Sequence, residues 1–219
     1  MKIGIFDSGI GGTTVMHAVQ EVLPDEEYIY LADTKNCPYG DKPFDELYQI
    51  VTNNVTNLIK QGAELIIIAC NTATTQCIDP LRRDFPSLQF IGVEPAIRLA
   101  AKTNANQILV LATPGTIKSA RTKLLVQKNQ HLNQEIKLLA CPGLAETIEH
   151  NLTSRPDRIH DKLAELLSNL DFTPDTVVLG CTHYSLIKPE IQSFFPEAKL
   201  IDGNSHVAHQ VQQIVKKSQ

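Results

Sequence analysis

Two short stretches each carry a cysteine in the same setting. Residues 65–74 read LIIIACNTAT and residues 176–185 read TVVLGCTHYS. Each is an apolar, largely β-branched run that ends in a small residue, then Cys70 or Cys181, then short polar side chains. A cysteine does chemistry as its thiolate, either as nucleophile or as proton acceptor. A helix starting just past each run would turn free N–H groups and its dipole toward the sulfur, lowering the thiol pKa. His183, two residues beyond Cys181, is placed to share a proton with that thiol. Asp7, ending the run KIGIFD, is placed to do so for Cys70 if their strands are neighbours. Taken singly, each residue has a plainer reading: a lone cysteine at a strand end is a small core residue, Asp7 is a helix cap, and His183 is satisfied by backbone. Two cysteines at matched places favour chemistry.

Ligands of open parallel sheets bind beyond the carboxyl ends of the strands. Those ends here hold Asp7-Ser8-Gly9, Asp33-Thr34, Cys70-Asn71-Thr72, Thr113-Pro114-Gly115-Thr116 and Cys181-Thr182-His183, with Glu149 closing a helix after the Cys141-Pro142 turn. Nearly all are small hydrogen-bonding groups, suited to a compact polar ligand. DSGIGG does not complete the dinucleotide pattern G-x-G-x-x-G, because Thr14 takes the last position, and no G-K-[ST] follows. Its glycines make a tight turn or aim backbone N–H groups at a carboxylate. Pro38-Tyr39-Gly40 reads as a turn, with Tyr39 either a surface ring or a lid over a ligand.

The elements that must position these residues alternate. Short apolar runs, at Lys2–Phe6, Tyr28–Ala32, Leu65–Ala69, Gln89–Val93, Ile108–Ala112, Ile136–Ala140, Thr176–Gly180 and Lys199–Ile201, predict strands. Amphipathic stretches between them predict helices, among them Thr74–Phe85, Ile117–Lys128 and Val207–Val215. Asp7 to Cys70 and Thr113 to Cys181 span nearly equal lengths of chain, a weak internal repeat of pattern. The expected fold is α/β: two pseudo-symmetric lobes, each a mainly parallel sheet flanked by helices, with the active site in the cleft between them. Residues 1–95 are expected to form the first lobe, joined by a C-terminal helix at 204–219, and residues 96–203 the second.

Composition narrows the function. The 219 residues are 42% hydrophobic and 20% charged, with a net charge of -4, as in an ordinary soluble domain. No Lys/Arg block accumulates except Lys216-Lys217, so neither nucleic acid nor a membrane surface is an expected partner. No apolar run approaches the roughly 18 residues of a membrane span, and the first residues carry no leader pattern. The expected location is cytoplasmic. Cys37, Cys70, Cys77, Cys141 and Cys181 are odd in number and lack any C-x-x-C pair, which predicts free thiols and no metal.

DSGIGG at 7–12, DT followed by PYG at 33–40, ACNTAT at 69–74, CPG followed by Glu149, and GCTHY at 180–184 together resemble the glutamate racemases of the aspartate/glutamate racemase superfamily. Five motifs in order, along essentially the whole chain, carry the resemblance. It implies interconversion of L- and D-glutamate without cofactor or metal, supplying D-glutamate for peptidoglycan, by a homodimer. It implies Cys70 and Cys181 as the two bases, Asp7 and His183 as assisting groups, and Glu149 as an acidic residue of the site. Substrate binding falls to Asp7, Ser8, Pro38, Tyr39, Gly40, Asn71, Thr72, Thr116 and Thr182. Doubling then has a use: inverting Cα requires removing a proton from one face and delivering one to the other, so two groups of like kind must flank a planar carbanion. Donors at Asn71, Thr72, Thr116 and Thr182 would stabilise the carboxylate side of that carbanion.

The chain departs from the family pattern at Ser185, where proline usually follows GCTHY, and its middle region and tail are shorter than usual. An aspartate racemase differs in substrate by one methylene, worth about 1–3 kcal/mol of discrimination. A non-catalytic amino-acid-binding protein would not need both cysteines.

Overall fold

The computed structural model describes residues 1–131 and 133–218; Leu132 and Gln219, which fall in the expected second lobe and C-terminal helix, lie outside the described residues. Eight strands form two four-stranded, all-parallel sheets. The first contains β1 (Lys2–Asp7), β2 (Glu27–Ala32), β3 (Leu65–Ile68) and β4 (Gln89–Gly92), in the order β2-β1-β3-β4. The second contains β5 (Gln107–Ala112), β6 (Glu135–Ala140), β7 (Thr176–Gly180) and β8 (Lys199–Ile201), in the order β6-β5-β7-β8. The two orders are the same when each sheet is counted from its own first strand. The repeat legible as spacing is therefore a repeat of topology.

Inner strands are apolar because both of their faces are covered. Every residue of β3 and β7 is buried, while the edge strands β2 and β6 are half-exposed along most of their length. That is the burial of a parallel sheet wrapped by crossover helices. Those helices are α1 (Thr13–Val22), α2 (Phe44–Lys60), α3 (Asn71–Asp84) and α4 (Ile97–Ala101), then α5 (Pro114–Lys118), α6 (Ala120–Asn129), α7 (Leu144–Asn151), α8 (Pro156–Leu167) and α9 (Lys188–Phe194). The last, α10 (Asn204–Ser218), returns to the first sheet, where Val207, Ala208, Val211 and Val215 pack with Ile3, Val15, Val19 and Ile91. Fully burying an aliphatic side chain of this kind is worth roughly 1.5–3 kcal/mol, so this return is held by its side chains. Among the described residues no helix is long and apolar enough to cross a membrane.

Two boundaries differ from the periodicity. Helix α3 begins at Asn71, directly after Cys70, rather than at Thr74. Its first turn, Asn71-Thr72-Ala73-Thr74-Thr75, is wholly buried although it carries no apolar stripe, so tertiary packing sets the start. The expected helix Ile117–Lys128 is two helices. Ser119 is extended, at φ -61° and ψ 142°, and its side chain accepts from Thr122 N–H, capping α6. That serine is a recognisable cap signal inside a pattern that otherwise runs on.

Candidate active site

The turn after β1 wraps around two carboxylates. Asp7 Oδ2 accepts from Gly9 N–H at 3.3 Å and Gly12 N–H at 3.0 Å, and Thr182 Oγ1 donates to Asp7 from the second sheet at 3.3 and 3.4 Å. Ile10 N–H donates to Glu149 Oε2 at 2.9 Å, again across the two halves. The DSGIGG turn thus does present N–H groups to carboxylates, and they are the protein's own. Its glycines permit the approach. A Cβ on Gly11 would lie 2.6 Å from His183 N, 2.7 Å from His183 Nδ1 and 2.7 Å from Thr182 Oγ1.

Cys70 and Cys181 lie just beyond inner strands β3 and β7, and both are buried. Strands β1 and β3 pair directly, so Asp7 and Cys70 end neighbouring strands, as their partnership requires. A charge on Cys70 raises the pKa of Cys181, which places the two thiols within electrostatic reach. The helix-terminus expectation of lowered thiol pKa is overturned. Burial pushes Cys70 up to about 12, the Asp7 carboxylate pushes the same way, and the N–H groups of Thr72 and Ala73 with the Ser8 hydroxyl only partly offset them. Cys181 is also raised by burial, opposed by its hydrogen bond to His183. A few partial charges do not replace the water lost on burying a thiolate completely. In addition, Cys181 leads into a 3-10 segment, Thr182–Ile187, and not an α-helix.

His183 joins the second thiol to a carboxylate. Its Nδ1 lies 3.9 Å from Cys181 Sγ and its Nε2 lies 2.7 Å from Glu149 Oε2. Burial works against charge on this imidazole, but the bonds to Cys181 and Glu149 outweigh it and push the pKa up to about 10. For Glu149, burial opposes ionisation, and the His183 and Ile10 hydrogen bonds reverse the balance and hold it below its usual value. Asp7, wholly buried, is raised by desolvation despite His183 nearby. The two thiols therefore have unlike neighbours: the carboxyl group of Asp7 beside Cys70 and the imidazole of His183 beside Cys181.

Small polar residues close the other side. Thr72, at the start of α3, meets Thr113 Oγ1 at 2.8 Å and Thr116 Oγ1 at 3.3 Å, and Thr113 donates to Thr116 at 3.0 Å. Gly115 N–H donates to the Gly40 carbonyl at 2.8 Å, fastening the PYG loop to the second half. Asn71 Nδ2 is buried with no hydrogen-bond partner among the described residues, a donor available to a ligand acceptor. Ser8 and Thr182 are buried and Pro38 is half-buried.

Tyr39 is not a surface ring. It is 1% exposed, and its hydroxyl donates to Asp33 Oδ2 at 2.6 Å while Asn54 Nδ2 reaches both groups. Its ring packs in the first-lobe core, so an aromatic in a Pro-Tyr-Gly turn is used here to seat the loop. Three positions had no site role assigned from sequence, although Thr113 stood among the strand-end residues and Gly11 in the DSGIGG turn. Thr113 bridges Thr72 and Thr116, and its signal was present as a threonine before proline at a helix start. Gly11 signals itself only through the space it leaves. Asn54, mid-helix in α2, has no local signal at all.

Residues 11–211 match the family described as Asp/Glu/Hydantoin racemase. A glutamate racemase of Roseiflexus sp. (strain RS-1) is 39% identical over 98% of this chain and 79% of its own length. The crystal structure of Escherichia coli glutamate racemase in complex with L-glutamate and the activator UDP-MurNAc-ala superimposes with a TM-score of 0.89 at 32% identity, covering 98% of this chain and 82% of that one. The Francisella tularensis glutamate racemase in complex with D-glutamate gives a TM-score of 0.83 at 30% identity, over 99% and 81%.

Proposed function

Because this chain belongs to the Asp/Glu/hydantoin racemase family, we propose that it interconverts L- and D-glutamate by two-base proton transfer between Cys70 and Cys181. The observation that supports the reading is the position of these thiols, equivalent in two sheets of equal strand order, with Thr182 beside Cys181 hydrogen-bonded across to Asp7. Glutamate is the substrate that the relatives' names give, and both enantiomers occur in the related crystal structures.

In this mechanism one thiolate removes the α-proton while the other thiol protonates the opposite face. The pair must therefore hold one proton between them. The unlike neighbours supply that asymmetry: protonated His183 favours thiolate at Cys181, and Asp7 favours thiol at Cys70. The hydroxyls of Thr72, Thr116 and Thr182 and the Asn71 amide are the donors for the substrate carboxylates. With these groups buried, the electrostatics act at low dielectric and without solvent reorganisation. Ser8, Pro38, Tyr39 and Gly40 bind or back the substrate, and Glu149 holds His183. No cofactor or metal enters the reaction.

The same reading takes residues 1–95 with helix 204–219 as one lobe and 96–203 as the other, which the packing of α10 against the first sheet supports. It also takes the active species as a cytoplasmic homodimer that supplies D-glutamate for peptidoglycan.

Circular dichroism of the purified protein, without added cofactor or metal, tests the activity. Optical signal should decay with L- and with D-glutamate and persist with either enantiomer of aspartate. Decay with aspartate alone, or activity only after adding pyridoxal phosphate, would overturn the proposal. A second expectation arises from the close approach at Gly11. Gly11→Ala should displace His183 and Thr182, and a misplacement of about 1 Å costs on the order of 10²-fold in rate. An unchanged rate would mean that the contact does not position the site.

A further inference from the structure

A sulfur, a ring nitrogen and a carboxylate oxygen converge beside the candidate site from three separate segments. Cys37 Sγ follows β2, Glu149 ends α7, and His183 follows β7. One ligand atom from each lies within 4.8 Å of the others. The segments are far apart in sequence, which is why no spacing motif reveals the cluster. We propose that Cys37, Glu149 and His183 form a binding site for a zinc-class divalent cation, and that the ion inhibits the enzyme by pinning its two halves together across the candidate site.

Thiolate, imidazole and carboxylate are the zinc donor classes, and three of them with a fourth position left open make a tetrahedral site. The charge balance is favourable: one thiolate and one carboxylate neutralise the ion, and the imidazole binds neutral. Binding releases two protons, one from the Cys37 thiol and one from the His183 imidazolium, as the electron pairs on sulfur and nitrogen pass to the metal. The present geometry needs only a small adjustment. His183 Nε2 and Glu149 Oε2 are 2.7 Å apart across a shared proton, whereas ligands about 2.0–2.3 Å from a tetrahedral ion stand roughly 3.3–3.7 Å from each other. Cys37 is half-buried, which gives the ion a path from solvent. The donors also belong to both sides of the cleft: Cys37 lies between strands of the first sheet, Glu149 and His183 among elements of the second. A bound ion on His183 Nε2 would leave Nδ1 facing Cys181 and would fasten the two halves together across the site. The inhibition rests on the racemase reading above; the binding does not.

The test uses metal-free protein titrated with Co2+, read by its thiolate-to-cobalt charge-transfer absorption, and with Zn2+, read by racemisation. Wild type should take up one Co2+ with a thiolate band. The double variant Cys70→Ser/Cys181→Ser should retain that band although it is inactive, and Cys37→Ser should lose it. Zn2+ should inhibit wild type reversibly, with EDTA restoring activity. Cys37→Ser should keep its basal activity and require at least tenfold more Zn2+. Cys37→Ala should behave in the same way with no oxygen to stand in as a ligand. A band that survives in Cys37→Ser, a band that disappears with Cys70 and Cys181, or equal Zn2+ sensitivity in wild type and both Cys37 variants would overturn the proposal. The cobalt experiment stands even if the racemase reading fails, because it needs no turnover.

Discussion

Replacing either Cys70 or Cys181 by serine is expected to lower inversion by about 10²–10⁴-fold in both directions, the range that general acid–base groups contribute. Serine nearly preserves the shape but is a far weaker acid, and it cannot supply an anion for proton abstraction at neutral pH. Both directions must fall together, because the equilibrium constant of a racemisation is one and the two kcat/KM values cannot diverge. What should distinguish the variants is exchange without inversion. On the proposed reading, the family resemblance assigns the α-proton of L-glutamate to Cys181 and that of D-glutamate to Cys70. In D2O, Cys70→Ser should therefore still wash deuterium into L-glutamate, and Cys181→Ser into D-glutamate. Loss of the α-proton NMR signal reads both. The neighbours add a gradation. Cys181 retains His183 as a support for its thiolate, whereas Cys70 faces the Asp7 carboxylate, so residual exchange should be faster in Cys70→Ser. Near wild-type racemisation by either variant would mean a single base, and the two-thiol reading would be wrong.

The doubled cysteine device could be read before any coordinates because it is local: a β-branched run long enough for a strand, a small residue, a thiol, then short polar side chains. All eight strands were legible as short apolar runs, most plainly the inner ones, since strands buried on both faces leave a continuous apolar record. The start of α3 was not, because Asn71-Thr72-Ala73-Thr74-Thr75 is buried by what surrounds it and shows no stripe. The thiol pKa values were misjudged for a related reason. A helix N-terminus is visible in sequence, but the burial of Cys70 and Cys181, each against a separate hydrophobic cluster, is a property of the fold. Asn54 supporting Asp33 and Tyr39, and Cys37 converging with Glu149 and His183, are likewise products of the fold. What the motifs supplied was the set of reactive groups. What they could not supply was which of those groups is charged.

That charge state gives the second large expected effect, in Glu149→Gln. His183 and Glu149 form a buried pair, 1% and 6% exposed at the side chain, and removing one partner of such a pair costs about 3–5 kcal/mol. Glutamine keeps a neutral acceptor, so the lower figure applies. For a chain of this length, roughly 2–4 °C of Tm per kcal/mol makes the loss about 6–12 °C near pH 6. The sign of the pH dependence follows from two shifts. The pKa of His183 is raised from 6.5 to about 10 in the folded protein, so its stabilisation is full below pH 6.5 and fades as pH rises toward 10. The pKa of Glu149 is lowered from 4.5, so its stabilisation is present above that value and fades only in acid. Because Cys181 also raises His183 and remains in the variant, the difference in Tm between wild type and Glu149→Gln should be flat from about pH 5 until the variant's own His183 titrates, above pH 6.5, and shrink from there toward pH 10. Racemisation should follow, because an imidazole no longer held in its charged form ceases to favour thiolate at Cys181 as the pH rises. The alkaline limb of the kcat/KM profile should thus move to lower pH in Glu149→Gln. Were the Tm difference constant from pH 5 to 10 and the alkaline limb unmoved, His183 would be neutral in the resting protein, and the asymmetry between the two thiols would need another source.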